Sequence, residues 1–122
     1  MSESLANLQR GESRKVVYDK LAESTSTSSS NIVTLNGKLS DYRYIMLCAE
    51  YPNNSATTVV TSSTIYPVEM ARDMASALFY GFSDTVSGSN VLTTRFKYVS
   101  DTQAALSISN NQYLKAVLYG IK

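Results

Sequence analysis

From Lys15 onward the chain is a succession of short runs rich in β-branched and aromatic residues, broken about every ten residues by Gly, Pro, Asn, Asp and Ser. No βαβ spacing separates them. The rhythm therefore predicts antiparallel strands stacked as a sandwich or barrel. The runs are 15–21, 32–39, 41–51, 56–70, 77–82, 91–99, 104–109 and 112–121, which gives seven to eight strands. A chain of 122 residues supports one core, so one domain is expected over 15–122.

The runs differ in character. Residues 41–51, DYRYIMLCAEY, hold the densest apolar stretch of the chain, Ile45 to Ala49, and read as a central strand covered on both faces. In 56–70, Pro67 holds Tyr66 extended and removes a ladder donor, so that strand belongs at a sheet edge or leaves the sheet there. Residues 69–75, EMARDMA, are the one interior stretch with helical content, with Met70 and Met74 four apart. Residues 22–31, AESTSTSSSN, read as a mobile surface loop. The chain holds 19 Ser and 11 Thr, a share that fits a strand-and-turn protein.

Residues 1–14, MSESLANLQRGESR, stand apart. Ser2 can cap a short helix, Leu5 and Leu8 share a face, and Gly11 can stop it. So short a segment holds no helix in water unless its apolar stripe meets a surface. It is read as an arm that either frays or anchors, with Leu5, Leu8, Arg10 and Arg14 as the anchoring candidates.

Composition excludes several chemistries. There is no histidine, so no Ser-His-Asp or Cys-His pair and no His-ligated zinc can form. The single cysteine, Cys48, permits neither an intrachain disulfide nor a thiolate cage, and its apolar setting marks it as a small core residue. The five glycines match no phosphate-binding loop. The nearest carboxylates, Asp19 with Glu23 and Glu69 with Asp73, read as solvated surface pairs. A net charge of +1 gives no field for nucleic acid, and no apolar run is long enough to span a membrane. The expectation is a soluble, non-enzymatic protein without cofactor or metal, made in the cytosol and without membrane insertion.

Nine tyrosines are the most suggestive feature left, because tyrosine offers a flat apolar ring and a hydroxyl at low entropic cost. Most should serve the core and strand edges. Tyr42 and Tyr44 would share a face of a strand over 41–51. With Tyr51, Asn53 and Asn54 they are the surface-recognition candidates.

Three segments in order, VTLNGKLSDYRYIML at 33–47, SSTIYPVEM at 62–70 and YLKAVLYGIK at 113–122, resemble the C-terminal tip domains of bacteriophage fibre and tail proteins. The resemblance covers about residues 16–122 and implies an antiparallel β-sandwich of jelly-roll type that assembles as a homotrimer on a virion. Arg72 and Asp73 depart from the plain polar turn common in that family, and no coiled-coil shaft precedes the domain. The expected role is thus a virion accessory: a capsid decoration protein, a short head fibre, or a baseplate or tail component. Its partners would be copies of itself and, through residues 1–14, capsid or tail proteins. The alternative is a host receptor-binding module for cell-surface glycans or proteins, with loops 22–31, 52–55 and 83–90 at its exposed end.

Overall fold

The computed structural model describes residues 16–50, 60–82, 93–109 and 115–122. Eight strands lie among them: β1 (Tyr18–Ser24), β2 (Ile32–Thr34), β3 (Tyr44–Glu50), β4 (Val60–Pro67), β5 (Phe79–Phe82), β6 (Thr93–Ser100), β7 (Gln103–Ile108) and β8 (Lys115–Ile121). One short helix, α1 (Val68–Asp73), follows β4, and a 3-10 turn, Leu39–Asp41, precedes β3. The arm and its candidates Leu5, Leu8, Arg10 and Arg14 lie outside the described residues, as do Tyr51, Asn53 and Asn54.

The strands form two antiparallel four-stranded sheets, one in the order β1-β8-β3-β4 and the other β2-β7-β6-β5. The protein is an all-β sandwich. Its outer strands wrap in jelly-roll fashion, β1 with β8 in one sheet and β2 with β7 in the other. The inner strands close locally, β3 with β4 and β5 with β6. A regular jelly roll would pair β3 with β6 and β4 with β5.

Period-two alternation builds the core. Ile45, Leu47 and Ala49 of β3, Ala116 and Leu118 of β8, Leu106 and Ile108 of β7 and Phe96 of β6 face one another between the sheets and are buried. Burying a Leu or Phe side chain stabilises by roughly 1.5–3 kcal/mol before conformational entropy is subtracted. As expected, β3 lies inside its sheet and β4, with Pro67 at its end, lies at the edge. Cys48 and Val117 belong to the outer face of that sheet and are buried as well, so β3 and β8 are covered on both sides along part of their length.

At Gly81 the two sheets approach closely. A Cβ there would stand 2.4 Å from Thr94 Oγ1 and 3.0 Å from Leu47 Cβ in the facing sheet. Along the β4–β5 side, the Tyr66 hydroxyl donates to the Tyr80 carbonyl at 2.6 Å, and its ring meets Phe79 edge-on at 4.8 Å. That contact closes the sandwich where both sheets have open edges.

The serine-rich stretch differs from the expected mobile loop. β1 runs on to Ser24, and the residues after it are fastened to β7, where Ile108 N–H donates to Ser26 O and Leu106 N–H to Asn31 O, both at 2.9 Å. Ser24, Ser26 and Ser28 each accept from the backbone N–H two residues on. These small hydroxyls stabilise a turn-like path in place of a ladder.

Candidate binding surface

Tyr42 and Tyr44 fall at one end of the sandwich, which we call the root end because residue 16 enters there. Its walls come from chain segments far apart in sequence. Lys122 N–H donates to Val17 O, Arg43 N–H to Ile121 O and Val68 N–H to Arg43 O, at 2.8–2.9 Å. The 3-10 turn is tied down from the other sheet: Leu39 N–H donates to Asp101 O, and the Ser40 N–H and hydroxyl both donate to the Asp101 carboxylate at 2.8 Å. Those two bonds hold the Asp101 carboxyl below the usual range.

Tyr42 and Tyr44 do not share a face. Period-two alternation fails because the 3-10 turn ends at Asp41 and the backbone bends at Arg43 before β3 begins. Tyr42 turns toward the core side and lies flat on Gly120, where a Cβ would come within 2.6 Å of its ring. Its hydroxyl donates to Asp19 at 2.7 Å, and that bond, with a smaller effect of burial and of nearby acids, pushes the phenol up to about 12. The Lys122 ammonium stands 5.6 Å from the ring centre. Tyr44 lies on the outer face, opposite Ile121 and Pro67, and is 40% exposed. Tyr18 continues the same row on β1.

Both tyrosines nevertheless line one depression of about 590 Å³, with Ser40, Asp41, Arg43, Pro67, Glu69 and Lys122. That volume falls within the range of roughly 300–1,000 Å³ typical of ligand sites. Two acids and two bases balance its charge. Asp41, Arg43 and Glu69 have no side-chain hydrogen bond or ion pair among the described residues. Sequence reasoning found the two tyrosines and missed these charged neighbours, although Asp41 and Arg43 interleave with the tyrosines in the quoted DYRY.

The opposite end is distinct. β3 ends there at Glu50, six residues beyond Tyr44 and so about 20 Å away at the usual strand rise. Near this end the Tyr119 hydroxyl donates to the buried Glu50 carboxylate, and burial together with that bond raises the Tyr119 phenol. Cys48 is buried one strand from Val117, and burial pushes its thiol up to about 11. A thiol so protonated is a poor nucleophile near neutral pH.

Glu69 and Asp73 are exposed on α1. Among the described residues no group of three or more His, Cys, Asp or Glu could hold a metal ion, and no helix is long and apolar enough to cross a membrane. Comparison with protein-family models, with curated proteins and with solved structures finds no match for the chain.

Proposed function

We propose that this protein is a structural accessory of a bacteriophage particle, a β-sandwich displayed on the capsid or tail and fastened through residues 1–14. The observation that carries the reading is the convergence of the three segments behind the resemblance. Residues 33–47 lead into β3, 62–70 hold most of β4 and 113–122 hold β8, three strands adjacent in the order β8-β3-β4, and all three segments supply walls of the same depression at the root end. The arrangement of ends supports the same reading. The chain enters the sandwich at one end, at residue 16, while β1, β3, β5 and β7 all finish at the other.

Residues 1–14 supply the fastening and the sandwich folds without them. Deleting them leaves a soluble protein that no longer joins particles, which sedimentation with particles checks; normal incorporation of the truncated protein would remove the anchor. The resemblance supports a homotrimer as the assembled form. Light scattering at several concentrations tests it, and a monomer mass throughout would remove that part.

A further inference from the structure

We infer that the root-end depression is a second docking site for the particle, taking a protein segment that presents both an acidic and a basic side chain. The inference rests on the proposed particle role and adds a specific contact to the arm. Three observations lead to it. The first is position: residue 16 enters beside Lys122, so any fastening through the arm draws this end toward the particle first. The second is composition. A partly exposed Tyr44, an exposed Arg43 and a balanced set of acids and bases are the residue types that carry protein interfaces, where aromatic and Arg side chains supply most of the energy.

The third is preorganisation. Tyr42 is pinned between Gly120 and Asp19, and the backbones of Arg43 and Val68 are hydrogen-bonded in place, so the walls need little ordering on binding. Asp41, Arg43 and Glu69 remain without ion-pair partners among the described residues, so an incoming charged segment displaces no internal ion pair of theirs. Opposite charges within one depression also fix the direction in which that segment lies. A polyanion would gain from Arg43 and Lys122 but meet Asp41 and Glu69. A purely apolar segment would leave all four unpaired.

The test uses the full chain added to particles that lack it, with the wild type and the chain without residues 1–14 as references. Arg43→Glu and Tyr44→Ala change exposed side chains and are checked for folding by circular dichroism. If the inference holds, each variant lowers the bound copy number at limiting protein by about tenfold or more. The wild type's binding weakens with salt, and Arg43→Lys keeps most of it. Undiminished binding of both variants, while the arm deletion abolishes it, overturns the docking site and leaves the arm reading intact. If wild-type protein fails to bind particles, the particle role itself falls. Binding of the purified chain to a neutral or acidic oligosaccharide on a glycan array, lost in Tyr44→Ala, would instead make the depression a glycan site and overturn the inference.

Discussion

The two sheets differ in how much of their pairing is local, although each has one long-range outer pair and one local inner pair. In β2-β7-β6-β5 three of the four strands are consecutive, and a short hairpin at Asp101–Thr102 joins two of them. In β1-β8-β3-β4 the first strand pairs with the last, and the last with the third. Local pairing needs little loop closure, whereas β1 with β8 closes a loop of nearly the whole chain. The candidate surface sits on the non-local sheet, so its parts come together only when the sandwich is complete. The consecutive sheet supplies support instead, through Asp101 under the 3-10 turn and through the pinned serine stretch.

Two glycines, one in each sheet, put this difference to its largest test. Gly81→Ala would press on Leu47 and Thr94 between the sheets, where β3 backbone also lies 3.3 Å from the new Cβ, and should cost about 1–3 kcal/mol in denaturant unfolding. At Gly120 the three atoms nearest the new Cβ all belong to the ring of Tyr42, at 2.6–2.9 Å, so that side chain must leave its seat at the open end. A smaller loss is expected there, with Tyr42 displaced from Asp19. If Gly120→Ala proved the costlier change, the root end would be packed as rigidly as the inter-sheet contact.

Tyr42→Phe comes next. It removes the bond to Asp19 and should cost about 1 kcal/mol at neutral pH. The folded phenol titrates above its ordinary value, so this contribution is complete below pH 10 and fades as pH rises toward about 12. Unfolding free energies of wild type and variant measured at pH 7 and pH 11 should therefore converge at the higher pH; a constant gap would place the stabilisation elsewhere.

The smallest effect concerns the other end of β1. The Lys115 ammonium donates to Glu23 at 2.8 Å and holds that carboxyl below its ordinary value, against the opposing effect of burial, with Lys20 assisting at 3.4 Å. A depressed carboxylate stabilises above its unfolded value and loses that contribution as pH falls through its folded one. Glu23→Gln should cost at most about 1 kcal/mol at pH 7, since the pair is partly exposed, and nothing near pH 2. A loss that persists in acid would mean that Glu23 acts by packing.

The strands were readable because their apolar period survives from run to run, and Ile45, Leu47 and Ala49 mark β3 as central without help from partners. Pro67 marked an edge because it removes a ladder donor. The inner pairings were not readable, since β3 with β4 and β3 with β6 satisfy the same alternation. The expected common face of Tyr42 and Tyr44 failed because a 3-10 turn and a bend at Arg43 interrupt the period, and no residue in SDYRY forbids the extended path. The serine stretch reads as a mobile loop because its lack of apolar groups hides the backbone bonds to β7. At the candidate surface, Asp41 and Arg43 were visible beside the tyrosines. Glu69 and Lys122 arrive only through the pairing of β3 with β4 and β8.

The bond from Lys122 N–H to Val17 O bears on mechanics. It adjoins the Tyr18–Ile121 pair, at the point where the chain enters the sandwich, so tension on residue 16 reaches it first. Force along β1 loads the whole β1–β8 ladder at once, but force away from the sheet opens that ladder bond by bond. The ring contact of Tyr18 with Tyr119 and the bond from Tyr42 to Asp19 brace the same first turn of β1 against peeling. A sandwich held by its arm would therefore resist load in one direction far better than in another, and the root end is where it would begin to yield.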